Sequence, residues 1–132
     1  MSEENVEVMR ASVAAFNRGD LETGLKDFDP YVVIRFDPTW PENRPRVGGD
    51  AARSFFDDLA AMVGTGETVI EDLIDAGDRV VIRNRARFRG RQSGIEDEIV
   101  FSQLATFRDG KIIMLEFFFD HASALEAAGL LE

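Results

Sequence analysis

Arg79-Val80-Val81-Ile82-Arg83-Asn84-Arg85-Ala86-Arg87-Phe88-Arg89 is the stretch that decides the fold. Successive side chains of a strand point to opposite sides, so Val80, Ile82, Asn84, Ala86 and Phe88 share one face, while Arg79, Val81, Arg83, Arg85, Arg87 and Arg89 share the other. The first face belongs against a core and the second is basic. Turn chemistry brackets the stretch. Asp75-Ala76-Gly77-Asp78 and Arg108-Asp109-Gly110-Lys111 join antiparallel neighbours, and 90–95 forms a looser glycine-containing turn. The pattern predicts four strands, roughly 67–75, 79–89, 96–108 and 111–119, in a meander. In a chain of net charge −10, a row of arginines meets carboxylates such as Glu98 and Glu116 on adjacent strands or across a dimer contact.

Upstream the apolar period is near four. Val6, Met9, Val13 and Phe16 predict an amphipathic helix from Glu3 to Asn17, with Gly19 just past its end. Asp20 caps a short second helix carrying Leu21, Leu25 and Phe28, stopped ahead of Pro30. Tyr31 to Phe36 reads as a β-branched strand. Asp37 to Gly49 holds three prolines and reads as an irregular loop that rims any pocket. Asp50 then caps a third helix with Phe55, Phe56, Leu59, Met62 and Val63 along one side, and Asp120 caps a last one ending at Gly129. Three helices followed by a meander make a single α+β domain over residues 1–132.

Composition narrows function. No cysteine is present, which excludes disulfides and thiol catalysis, and the single histidine cannot build a metal site alone. Neither a metal nor another cofactor is expected. Net negative charge repels phosphate backbones and anionic lipid, so nucleic-acid and membrane partners are not expected either. With no apolar stretch long enough to span a bilayer and no secretory signature after Met1, the expected location is the cytoplasm.

Strand parity places Ile82, Asn84, Ala86 and Phe88 inward, with Ile99, Phe101, Gln103, Ala105 and Phe107 on the next strand. On the last strand Ile113, Leu115, Phe117 and Phe119 are expected inward; without a bulge at the Asp109-Gly110 turn, Glu116 takes their place. Asn84 and Gln103 stand out, because buried amides need partners and serve either the sheet or a ligand.

Several strings, in this order, resemble the nuclear transport factor 2-like superfamily, in particular its SnoaL-like and ketosteroid-isomerase-like members. They are Ala14-Ala15-Phe16-Asn17-Arg18-Gly19-Asp20-Leu21, Phe36-Asp37-Pro38, Phe107-Arg108-Asp109-Gly110-Lys111-Ile112, and Phe119-Asp120 followed by Ala124-Leu125-Glu126-Ala127-Ala128-Gly129-Leu130. The resemblance spans nearly the whole chain. It implies a cystatin-like α+β cone, a curved antiparallel sheet wrapped around the N-terminal helices to form an internal pocket, and it does not fix an activity. Ketosteroid isomerases carry a general-base aspartate in an Asp-Pro pair at the end of the first strand, which makes Asp37 the candidate base. Their oxyanion donors correspond here to Ser12 and Gln103, neither a strongly acidic donor, which argues against steroid isomerisation itself. SnoaL-like cyclases pair an aspartate with a histidine; His121 follows the last strand, away from the expected cavity. The Asp-Arg-Asp group of limonene epoxide hydrolase has no evident counterpart.

The resulting candidates are Asp37 as base and Gln103 as its polar partner, with Ser12, Phe16, Trp40, Phe55, Asn84, Phe88 and Phe101 against a small apolar ligand. Trp40 is either a lid or a plug. Arg35 is available to pair with Asp37 and lower its basicity. Two functions stay open: an acid/base isomerase, cyclase or lyase acting on an apolar carbonyl compound, and a non-catalytic ligand-binding or scaffold module, dimeric through the sheet.

Overall fold

The computed structural model describes residues 2–39, 43–90 and 92–130. In chain order the elements are α1 (Ser2–Asn17), α2 (Leu21–Leu25), β1 (Phe28–Phe36), β2 (Arg46–Val47), α3 (Gly49–Met62), β3 (Val63–Asp75), β4 (Arg79–Gly90), β5 (Glu96–Arg108), β6 (Lys111–Phe118) and α4 (His121–Ala127). The strands form one open, curved sheet in the order β2-β1-β6-β5-β4-β3, so the expected α+β class holds. The β3 to β6 meander is antiparallel throughout, while β1 joins β6 in parallel.

Two departures from the sequence reading have local causes. β1 begins at Phe28 rather than Tyr31 and runs through Pro30. Proline has no N–H for the ladder, and pairing with β6 is interrupted between Phe28 and Val33 to pass it. Inside the expected loop, Arg46 and Val47 pair with Ile34 and Val33 to form β2.

The last hairpin settles the parity of β6. Asp109 and Gly110 both take positive φ, 52° and 77°, which closes a tight two-residue turn with Arg108 opposite Lys111 and Phe107 opposite Ile112. The register then slips, pairing Thr106 with Met114 and leaving Ile113 as the extra residue. Ile112 therefore enters the core in place of Ile113, and Leu115 and Phe117 follow it as expected. Phe119 is exposed instead. Glu116 lies opposite Leu104 on the outer face.

The sheet buries both faces. On the inner one Val32, Ile34, Val80, Ile82, Ala105, Phe107, Ile112, Leu115 and Phe117 pack with Met9 of α1 and Ala52, Phe55 and Phe56 of α3. The smaller outer cluster joins Val81 and Leu104 to Ala124 of α4. Beyond α4 the arginine row is occupied by neighbouring carboxylates: Arg85 Nε lies 2.6 Å from Glu71, Arg87 Nε 2.8 Å from Glu98 and Arg89 Nη2 2.7 Å from Glu96, with Arg85 also bonded to Glu98. Cross-strand pairing thus accounts for the row. Among the described residues no helix is long and apolar enough to cross a membrane.

Candidate functional site

Asn84 of β4 and Gln103 of β5 are diagonal neighbours on the inner face, because Gln103 lies opposite Ile82 and Asn84 opposite Phe101. Asn84 Nδ2 donates to Gln103 Oε1 at 2.9 Å. Asn84 is 1% exposed and its Oδ1 has no hydrogen-bond partner, whereas Gln103 keeps 9% exposure. A buried acceptor left unpaired costs about 1–3 kcal/mol. Exchanging the oxygen and nitrogen of both amides preserves the result: one amide still offers a free donor and the other a free acceptor.

Aromatic rings surround the pair. Phe117, directly across from Gln103, stacks on Phe101 at 6.0 Å and on Phe36 at 5.5 Å, and meets the ring of Phe55 at 5.8 Å. Phe55 touches Phe56 at 5.0 Å, and Phe56 stacks on Phe16 at 4.7 Å. Gly24 is what lets Phe16 lie there: a Cβ on Gly24 would fall 2.7 Å from the ring. Phe16, Phe55 and Phe101 are thus brought together, joined by Phe36, Phe56 and Phe117. Phe88, further along β4, stays outside this cluster. Trp40 lies outside the described residues.

The remaining candidates have other partners. Ser12 Oγ donates to Gly24 O at 2.8 Å, tying α1 to α2. Asp37 follows the last residue of β1, where its N–H donates to Phe117 O at 2.9 Å. Its carboxylate accepts from Thr39 N at 2.8 Å and Thr39 Oγ1 at 2.7 Å. These bonds stabilise the ionised form and hold the Asp37 pKa below the usual aspartate range. Thr39, rather than Arg35, is therefore what lowers its basicity. Arg35 lies opposite Glu116, whose pKa is raised by burial against the opposing pull of Arg35 and Arg79.

His121, at the start of α4, sits on the outer face with Nδ1 2.7 Å from Ser102 Oγ and Nε2 3.6 Å from Asp72. It does not reach the inner amides. Among the described residues no group of three histidine or acidic side chains is placed to hold a metal.

One inward residue escaped the sequence reading. Arg46 is opposite Ile34, a core residue, so it shares the inner face, and its Cζ lies 5.7 Å from the centroid of the Phe55 ring. No alternation in a proline-rich stretch could have shown this.

Residues 9–114 match the SnoaL-like domain family. The chain belongs to the SnoaL-like family. No curated protein matches it. Its fold is shared by solved structures of low sequence identity. An NTF2-like protein of unknown function from Burkholderia pseudomallei is 21% identical over 93% of this chain and 95% of its own, with a TM-score of 0.78. TerC, co-crystallised with polyporic acid, is 24% identical over 96% and 98%, TM-score 0.77. A protein with a ketosteroid isomerase-like fold from Catenulispora acidiphila, in complex with trimethylamine, is 17% identical over 94% and 93%, TM-score 0.75.

On this SnoaL-like scaffold the inner face combines a hydrogen-bonding amide pair with a continuous aromatic wall. Such a surface can orient an apolar molecule by one polar group. Among the described residues the inner face offers only the neutral amides of Asn84 and Gln103 as buried side-chain donors, so stabilisation of an enolate would fall to them.

Proposed function

We propose that this SnoaL-like protein binds a small, largely apolar molecule in a pocket on the inner face of its sheet, with Asn84 and Gln103 gripping a carbonyl-containing polar group. The observation that carries this reading is the unpartnered, fully buried Asn84 Oδ1 among phenylalanine rings. Sheet geometry does not require an amide there; a ligand hydroxyl or amide N–H would satisfy the acceptor, and the neighbouring Gln103 donor would take the ligand carbonyl. Phe16, Phe55 and Phe101 would supply apolar contact, and the structural neighbours with polyporic acid and trimethylamine support small-molecule binding on this scaffold.

Proton abstraction by Asp37 is the second reading, favoured by its anchoring beside Phe117 at the end of β1. It would start from a carboxylate kept ionised by Thr39 and thus weakly basic, so binding fits the geometry better than general-base catalysis. Calorimetric titration with aromatic hydroxy-ketones and carboxamides tests both. Loss of binding in Asn84→Leu with retention in Asp37→Asn is expected. Undiminished affinity in Asn84→Leu would sink the amide-pair reading. Turnover abolished by Asp37→Asn would install the base mechanism instead.

A further inference from the structure

Arg46 differs in its surroundings from the arginines of the outer face. Arg83, Arg85, Arg87 and Arg89 each pair with a glutamate. Among the described residues Arg46 has no such partner, although acidic residues outnumber basic ones 25 to 15 in the chain. Its guanidinium lies over the face of the Phe55 ring. The ring in turn touches Phe36, Phe56 and Phe117, so the guanidinium stands at one end of the aromatic wall that reaches Gln103.

Asp75 and Asp97, opposite Val80 and Phe88, share that face but lie exposed near strand ends, away from Arg46. Of the buried polar side chains, Asn84 and Gln103 lie on it, while Asn5 and Ser12 of α1 donate to the backbone oxygens of Gly77 and Gly24. A cation on an inward face with no protein counter-ion is electrostatically complementary to an anionic ligand, and a guanidinium presents the planar fork that fits a carboxylate. The phenylalanine face attracts the cation while leaving its N–H edges available.

Spacing gives the other dimension. From β2 to β5 the sheet order crosses β1 and β6, three inter-strand intervals, or about 14 Å between backbones. Through Ile34 and Leu115, Arg46 is in line with Ala105, two residues along β5 from Gln103, so a ligand reaching both must be elongated.

Building on the binding reading above, we propose that Arg46 is the anion-recognition residue of the inner face. The ligand is then a rigid apolar carboxylate whose carboxyl group lies on Arg46 and whose far end carries a neutral carbonyl with an adjacent donor for Gln103 and Asn84.

The test is calorimetric titration of the full chain with p-carbamoylcinnamate and with its neutral diamide. The expected result is a preference for the carboxylate of at least about tenfold in the native protein, lost in Arg46→Gln and partly kept in Arg46→Lys, which retains charge without the fork. Circular dichroism and melting curves establish that both variants are folded. Equal affinity for the two compounds in the native protein, or a preference that survives Arg46→Gln, overturns the anion assignment and leaves ligand binding by the amides standing. Loss of the preference in Arg46→Gln with both affinities unchanged in Asn84→Leu does the reverse. If neither compound binds the native protein, both proposals fall.

Discussion

Replacing Gln103 by methionine removes the partner of Asn84 Nδ2 and leaves both polar ends of a 1%-exposed side chain unpaired. One further orphaned group costs about 1–3 kcal/mol. Melting entropy scales as about 2.1 cal/mol/K per residue. For 132 residues that is about 0.28 kcal/mol/K, so each kcal/mol moves Tm by about 3.6 °C. Gln103→Met should therefore lower the melting temperature by roughly 4–11 °C. The double variant Asn84→Leu/Gln103→Met removes the cause altogether, since it deletes the unsatisfied Oδ1 along with its neighbour. Apolar groups of similar shape replacing a buried polar pair are neutral or stabilising, so the double variant should melt at or above the native temperature. Its defect should appear only in ligand binding. Differential scanning calorimetry of the four proteins without ligand closes the double-mutant cycle, and the coupling should favour the double variant strongly. A harmless Gln103→Met, or a double variant equal to the sum of its singles, would refute the idea that the free amide groups are held at a cost in stability.

Gly24→Ala would drive a methyl group into the Phe16 ring, itself stacked on Phe56; overpacking of this kind costs about 1–3 kcal/mol, visible as a lower urea midpoint, and an unchanged midpoint would mean that the ring pair moves freely. Glu116 has a raised pKa in the fold, so the folded chain holds its proton more tightly than the unfolded chain. Its contribution to stability is then greatest below the ordinary glutamate range and falls as pH rises through the raised value. Glu116→Gln should raise Tm at neutral pH, with the gain vanishing in acid; a gain independent of pH would refute burial as the cause. The depressed pKa of Asp37 has the opposite sign: its stabilisation is present above the ordinary aspartate range and is lost as pH falls through the lowered value. Thr39→Ala, which removes one of the two donors, should move the Asp37 titration upward in carbon-detected NMR, and an unmoved titration would show the hydroxyl to be irrelevant.

Where the fold follows from local alternation, the sequence is readable. The faces of β4 and β5 follow from a period of two, and with them the inward placing of Asn84 and Gln103. Ile113 fails the same reasoning because the bulge comes after the tight turn, not within it, and a slip in register leaves no mark in composition. The parallel union of β1 with β6 is also invisible, since the partners are remote in the chain. Arg46 acquires its face only through pairing with Ile34 across a proline-rich stretch. For Asp37 the position at the end of β1 was readable and its chemistry was not, because a threonine two residues later determines the proton affinity.

The union of β1 with β6 also constrains how the chain comes to be folded. During synthesis Phe28–Phe36 leaves the ribosome long before Lys111–Phe118 exists to lie beside it. Until then one hydrogen-bonding edge of the early strand has no neighbour, and Val32 and Ile34 have no finished interior to enter. Folding element by element from the N-terminus therefore cannot be completed at β1, the third element. The nascent chain must be kept from pairing with other strands until its last one arrives, and a chain cut anywhere before that strand would leave the earliest one stranded as well.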